Sequence, residues 1–334
     1  MKLIIPMAGM GKRMRPHTLT TPKPLIPLAG KPIVEHLIEE IAQSIKEPIQ
    51  EIAFIIGAFG EEVENTLLAC ASKVGAKGHI YYQEEALGTA HAILCAAPSL
   101  QGPVIVAFAD TLFFSHFQLG SDKDAIIWTK KVEDPSAFGV VLTDEKNKIT
   151  GFTEKPKNFV SNLAIIGIYY FKDGENLRKE LQYLIDADVR KGKEYQLTDA
   201  LQNMMEKGLS FYSQTVDQWL DCGNKNATVE TNSMVLRHKS NAHFIHPTVE
   251  IIDSVIIPPC YIGPKVVIKQ SVVGPCVSVG DGSVIARSLL SDSIVQSMAE
   301  VENVVLSQSM IGNHANIHNK MCSVNLGDFS ESDF

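Results

Sequence analysis

A short apolar run, Lys2-Leu3-Ile4-Ile5-Pro6, opens into Ala8-Gly9-Met10-Gly11-Lys12-Arg13-Met14-Arg15-Pro16. Glycines let backbone N–H groups approach a phosphate chain closely. Lys12, Arg13 and Arg15 follow the second glycine at once. Lys23 lies between Pro22 and Pro24, whose rings fix the backbone and aim the side chain. Gly30-Lys31-Pro32 comes next. This equipment suits a triphosphate. Walker A is excluded, because Gly9 and Gly11 are too close and Lys12 is followed by Arg13 rather than Ser or Thr. The dinucleotide fingerprint is excluded too, because Met14 stands where it needs a third small residue.

Two further segments carry chemistry. Gln83-Glu84-Glu85-Ala86-Leu87-Gly88-Thr89-Ala90-His91 follows a strand-like run and enters a helical one. A glutamine offers a donor and an acceptor, which can pair with the O4/N3 edge of uracil or thymine. Gly88 lets a base lie against the backbone. Asp110 ends an apolar strand, and Asp221 ends a second segment, Trp219-Leu220-Asp221. Mg²⁺ takes one or two protein carboxylates with phosphate oxygens and waters, so two acids far apart in sequence suit a cation between two strand ends. Either aspartate alone also reads as a turn or cap residue.

The pattern G-x-G-x-R-x-x-P-x-T with a downstream P-K-P resembles the signature of the sugar-1-phosphate nucleotidylyltransferases, also called nucleotide-sugar pyrophosphorylases. Within that family the chain is similar to glucose-1-phosphate thymidylyl- and uridylyltransferases that carry a C-terminal hexapeptide-repeat domain. Lys12 departs from the usual Thr or Ser, and Ala109 from the usual Gly before the first Asp. The resemblance implies that Ala8, Gly9, Gly11, Lys12, Gln83, Gly88 and Thr89 bind the nucleotide. It implies catalytic roles for Arg13 and Lys23 on the phosphates, and for Asp110 and Asp221 as Mg²⁺ ligands. Gly139, Glu154, Lys155 and Ile165 would hold the sugar phosphate, with Lys155 offsetting charge repulsion. Ile165 favours glucose 1-phosphate, whereas Glu194-Tyr195-Gln196-Leu197-Thr198-Asp199 is closer to the N-acetylglucosamine branch. Thr198-Asp199 also reads as an ordinary helix N-cap. The nucleotide stays open between UTP and dTTP.

Positioning these residues requires strands that end near one another. Strand-like runs occur at 2–6, 52–56, 79–82, 103–108, 125–129 and 164–171, with helical periodicity between several, such as Ile33, Leu37, Ile38 and Ile41. This alternation predicts an α/β domain over residues 1–240 with a Rossmann-like mixed, mostly parallel sheet. Ligands bind beyond the carboxyl ends of such strands, so the Gly9 loop, Asp110 and the stretch after 171 are expected at one edge. After residue 240 apolar residues recur every six positions: Ile256, Ile262, Ile268; Val273, Val279, Ile285; Leu289, Val295, Val301; Val305, Ile311, Ile317. A six-residue period is the signature of a parallel β-helix, left-handed in the family form, here of about four coils over 241–334. Residues 225–242 are expected to form a helix between the two.

The 334 residues, 45% hydrophobic and 20% charged, describe an ordinary globular chain with ample core. A net charge of −8 argues against nucleic acid or an anionic membrane as partner. Cysteines 70, 95, 222, 260, 276 and 322 form no C-x-x-C pair and suit a reducing cytosol, as does the lack of a signal-peptide pattern. A cytoplasmic homo-oligomer is expected. His91 is expected beside the base loop, and His243, His246, His314 and His318 at polar turns of the coils. Two other classes remain open: an acyltransferase acting through the repeats, which are short for that purpose, and a non-catalytic sugar-nucleotide-binding regulatory subunit, which commonly loses a signature residue present here.

Overall fold

A computed structural model of the chain describes residues 1–9, 11–45, 47–115, 123–190, 192–238 and 244–320. The expected 240/241 boundary, His243 and Cys322 lie outside these. Contacts divide the chain into two units, residues 1–26 with 31–224, and residues 27–30 with 225–334.

The first unit is built on a 9-stranded sheet. Its strands are β1 (Lys2–Pro6), β2 (Glu51–Ile56), β3 (Lys77–Tyr82), β4 (Val104–Ala107), β6 (Ala125–Lys131), β7 (Gly139–Thr143), β8 (Ile149–Glu154), β9 (Leu163–Phe171) and β10 (Phe211–Thr215). A separate ribbon pairs β5 (Thr111–Phe114) antiparallel with β11 (Gln218–Asp221). The sheet order is β8-β7-β9-β4-β1-β2-β3, with β6 on β9 and β10 on β6. Only β8 and β9 run against the rest. Strands β1, β2 and β4 are buried almost throughout, which is why they read as unbroken apolar runs. The helices are α1 (Ile33–Ser44), α2 (Glu61–Lys73), α3 (Thr89–Cys95), α4 (Gly174–Asp186) and α5 (Leu197–Glu206). A core including Ile4, Val106, Ile127, Phe171, Leu181 and Leu201 joins sheet and helices.

The predicted runs reappear as β1, β2, β3, β4, β6 and β9. Strands β5, β7, β8 and β10 have no counterpart among those runs, whereas β11 is the segment whose end Asp221 was expected to mark; β8 (ITGFTE) and β10 (FYSQT) mix polar residues with apolar ones, so neither forms a continuous run. The stretch after Phe171 lies at the opposite edge to the one expected, because β9 runs antiparallel to β4 and Phe171 pairs with Val104, where β4 begins. The other end of β9, Leu163–Gly167, reaches the edge where β1 and β4 end.

The second unit contains α6 (Lys225–His238) and three parallel sheets of short strands, two of five strands and one of four. This is the β-helix expected from the six-residue period. Ile262, Val279 and Val295 stack inside one wall, Ile268, Ile285 and Val301 inside the next, all buried. On the third wall the inward residues are Val273 and Leu290, with Leu306 packed against the same core. Leu289 and Val305, expected inward, face out and are 44% and 78% exposed. The cause is coil length. Tyr261 lies opposite Ser278, and Ser278 opposite Ile294, so successive coils take 17 and then 16 residues rather than three full hexads. The shortfall shifts the third wall by one residue, and in a strand one residue reverses the face. Small polar residues close the corners: Ser254 Oγ accepts from Ser271 N–H at 3.0 Å, and Ser271 Oγ from Ser288 N–H at 3.0 Å. His246 and His318 take side-chain partners at polar positions, Thr248 and Glu302, and His314 occupies a corner with φ 55°.

Among the described residues no helix is long and apolar enough to cross a membrane.

The one-residue shift is testable by thermal unfolding. Leu290→Asp buries an unpaired carboxylate and should cost at least ~3 kcal/mol. Leu289→Asp, on the outer face, should change stability by less than ~1 kcal/mol. Equal losses would restore the strict hexad phase.

Candidate active site

At the carboxyl end of β1 the chain leaves the core through Ala8 and Gly9, and a Cβ added at Gly9 would meet nothing within 4 Å. Gly11 is left-handed, with φ 57° and ψ 38°. Its carbonyl accepts from Thr18 Oγ1 at 2.8 Å, and a Cβ there would sit 2.9 Å from Lys23 Cβ. One glycine thus locks the loop against both downstream elements of the motif. A single 3₁₀ turn, Lys12–Met14, follows. Met14 is fully buried and anchors that turn, which leaves Lys12 and Arg13 exposed toward the cavity.

Lys23 lies in a further 3₁₀ turn, Lys23–Leu25, stiffened by Pro22 and Pro24. Its side chain is only 8% exposed, and Nζ donates to Asp110 Oδ2 at 3.0 Å. Asp110 follows β4. The ribbon then places Asp221 opposite Thr111, and Cys222 N–H donates to the Asp110 carbonyl at 3.1 Å. Two carboxylates more than a hundred residues apart are therefore neighbours. Burial pushes the Asp221 pKa up, the Asp110 charge adds to it, and Lys23 and Arg13 oppose it. A Cβ at Gly223 would stand 2.7 Å from Asp221 Oδ2, so a side chain there would displace that carboxylate from its present position. Among the described residues no three or more His, Cys, Asp or Glu converge on one point. Two neighbouring carboxylates suit a hard divalent cation that completes its shell from phosphate and water, and the pair fits Mg²⁺.

At the end of β3, Gln83 N–H donates to the Ile56 carbonyl at 2.8 Å. Gln83 Nε2 lies 3.2 Å from the Gly88 carbonyl and 3.1 Å from His91 Nδ1, so His91 does stand beside this loop. Gly88 has φ 108°, and a Cβ on it would meet the Tyr195 carbonyl oxygen at 2.4 Å. Around it Tyr195 N–H donates to Leu87, Ala90 N–H donates to Tyr195, and Leu197 N–H donates to Thr89 Oγ1 at 2.9 Å. The segment 194–199 is thus the backing of the Gly88 turn. Helix α5 begins at Leu197 with Gln196 as its N-cap, so Thr198 and Asp199 belong to its first turn. Thr198 Oγ1 is buried without a hydrogen-bond partner among the described residues.

These groups line two cavities. One, of about 460 Å³, is walled by Ala8, Gly9, Gly11, Lys12, Arg13, Lys23, Gln83, Gly88, Thr89 and Asp110 among others. The second, of about 480 Å³, is walled by Gly139, Glu154, Ile165, Thr198, Trp219 and Asp221 among others. Arg13, Thr89, Phe108 and Asp110 line both. In the second cavity Glu154 pairs with Gly139 across β7 and β8, and a Cβ on Gly139 would approach Glu154 Oε2 to 3.0 Å. The pairing of β9 with β6 slips between Ile165 and Tyr169, and there the carbonyls of Ile166 and Gly167 accept from Thr111 Oγ1 and Phe108 N–H. Such bulges re-aim a strand beside a site. Lys155 follows β8 with φ 42°, is exposed, and is absent from both linings. Phe108, Trp219, Gln196 and Thr198 were not singled out as site residues from sequence. Trp219 stands two residues before Asp221, and Gln196 and Thr198 belong to the 194–199 segment that the resemblance tied to the N-acetylglucosamine branch.

The family described as nucleotidyl transferase matches residues 2–238. Glucose-1-phosphate thymidylyltransferase of Streptomyces antibioticus is 28% identical, over 99% of this chain and 99% of its own. Bifunctional protein GlmU of Methanococcus maripaludis is 32% identical over 77% of this chain, but the match spans only 60% of that relative. A solved UDP-glucose pyrophosphorylase complexed with UDP-glucose shares the fold, with TM-score 0.59 and 24% identity over 71% of this chain and 99% of that one.

Gly11→Ala should lower the melting temperature by about 2–4 °C, since an L-residue in the left-handed region costs roughly 1–2 kcal/mol. It should weaken binding of a nucleoside triphosphate at least ~10-fold in a calorimetric titration, because the added methyl displaces Lys23. Unchanged affinity would separate the Gly11–Lys23 contact from phosphate binding.

Proposed function

The chain belongs to the nucleotidyl transferase family, and from that premise we propose that it condenses UTP or dTTP with a sugar 1-phosphate, glucose 1-phosphate in first place, to give the NDP-sugar and pyrophosphate. One observation carries this reading: two cavities that share Arg13, Thr89, Phe108 and Asp110 as common wall. A nucleotide in the first and a sugar phosphate in the second would bring their phosphates together at that wall.

The sugar phosphate oxygen attacks the α-phosphorus in line, a new P–O bond forms, and the bond to the β-phosphate oxygen breaks as pyrophosphate leaves. The nucleophile is already an anion, so no general base is needed. Catalysis is then positioning and charge stabilisation. Backbone amides of Ala8, Gly9, Gly11 and Lys12 and the Arg13 guanidinium hold the β- and γ-phosphates, and Arg13 stabilises the leaving group. Lys23 stabilises charge at the α-phosphate and, through its bond to Asp110, is held ready for it. Asp110 and Asp221 would hold Mg²⁺, which neutralises phosphate charge when bound. Gln83, Gly88 and Thr89 receive the base. Glu154 and the backbone of Gly139 and Ile165 receive the sugar hydroxyls. Lys155, exposed in this structure, offsets the second phosphate's charge once substrate fills the second cavity.

The catalytic segment is 1–240 and the repeats 241–334 assemble subunits of a cytoplasmic homo-oligomer. The outward Val255, Val272, Leu289 and Val305 are stacked in register on one wall and supply an apolar surface for it. A second reading, N-acetylglucosamine-1-phosphate uridylyltransferase, rests on Thr198 in the second cavity and on the GlmU relative.

Pyrophosphate release, measured with Mg²⁺ and a panel of UTP, dTTP, glucose 1-phosphate and N-acetylglucosamine 1-phosphate, tests both. Turnover should vanish with chelator and return with Mg²⁺. Arg13→Ala should lower the maximal rate by at least ~100-fold with little change in melting temperature. No release with any pair, or a fully active Arg13→Ala, would sink the reading.

A further inference from the structure

The carboxamide of Gln83 is engaged on one side only. Nε2 lies 3.2 Å from the Gly88 carbonyl oxygen, and a carbonyl can only accept, so the amide atom facing it is the nitrogen. The second hydrogen of that nitrogen points at His91 Nδ1, 3.1 Å away. An amide NH₂ has no acceptor capacity, so Nδ1 must accept, and the neutral ring carries its proton on Nε2. Burial lowers the His91 pKa, with the Glu85 carboxylate opposing, which favours that neutral form. Both hydrogens of Gln83 are thus used inside the protein. Oε1 takes no protein hydrogen bond among the described residues, and Gln83 lines the first cavity.

We propose that His91 is a positioning residue for base selection: by occupying Gln83 Nε2 it leaves only the Oε1 acceptor for the base, so that among pyrimidines the cavity takes uracil or thymine and rejects cytosine. Uracil and thymine carry N3–H at the centre of the pairing edge and donate to Oε1. Cytosine presents a lone pair at N3 and faces an acceptor with an acceptor. The two-point pairing expected of a free glutamine is reduced to one point, and selectivity against the isosteric base rises accordingly. His91 is not part of the cavity wall and acts through Gln83. The inference rests on the reading of the first cavity as a nucleotide site.

Calorimetric titration of the full chain with UTP and with CTP tests it independently of turnover. The wild type should prefer UTP by roughly 10- to 100-fold, the usual cost of leaving a buried polar group facing a like partner. His91→Leu should reduce that preference at least ~5-fold by freeing one amide hydrogen for cytosine N3, while kcat at saturating UTP changes less than ~2-fold. His91→Asn, whose Oδ1 can accept in place of Nδ1, should restore the preference. His91→Lys, which can only donate, should abolish it and serves if the leucine variant melts early. A UTP preference that survives both His91→Leu and His91→Lys overturns the role of His91 and leaves the transferase reading intact. A wild type that favours CTP overturns the inference at once, whereas the absence of pyrophosphate release with every nucleotide strikes the transferase reading instead.

Discussion

The site depends on keeping two carboxylates and a lysine in one place. Burial of Asp221 disfavours its charged form, and the neighbouring Asp110 carboxylate adds to that, so the Asp221 proton affinity rises. Lys23, held nearly out of solvent with Nζ 3.0 Å from Asp110, offsets part of that charge. Removing water is what makes such a cluster useful, since each charge then acts strongly on an incoming phosphate. It also makes the cluster costly, so rigid elements must hold it.

Those elements are unusually direct about it. Lys23 is flanked by two prolines and packed against a glycine that has no room for a Cβ. Asp110 and Asp221 are brought together by the β5–β11 ribbon, whose register pairs Asp221 with the residue after Asp110. Trp219 Nε1 donates to Thr111 Oγ1 at 2.7 Å, and that hydroxyl donates to Ile166, so ribbon and sheet are tied side chain to backbone. The bulge in β9 and the ribbon therefore define the second cavity together. A comparable economy operates at the Gly88 turn, where Tyr195 and Leu197 hold from behind the loop that carries Gln83 on its open side.

The second unit follows a different logic. Its coils repeat, each wall is covered by its neighbours, and the core is a column of aliphatic residues. The departure of coil length from three hexads moved one wall by a residue without disturbing the other two. That shift turned Leu289 and Val305 outward, where they extend the outward column begun by Val255 and Val272.

What could be read from sequence was whatever is local. The glycine turn with its cations, the buried strands, the Gln83–Gly88 spacing and the six-residue period are all patterns within a few tens of residues, and each reflects a backbone or burial requirement met on the spot. The folded chain alone decided the rest. It set the ribbon register by which Asp110 meets Asp221, a pairing the family resemblance implied without its geometry, the backing of Gly88 by Tyr195, the reversal of β9 that sent Phe171 to the far edge, and the one-residue slip on the third wall. These depend on strand direction and register, which arise from pairing between distant segments. No single segment carries that information, because the hydrogen bonds that select one register over the next form only when both strands are present.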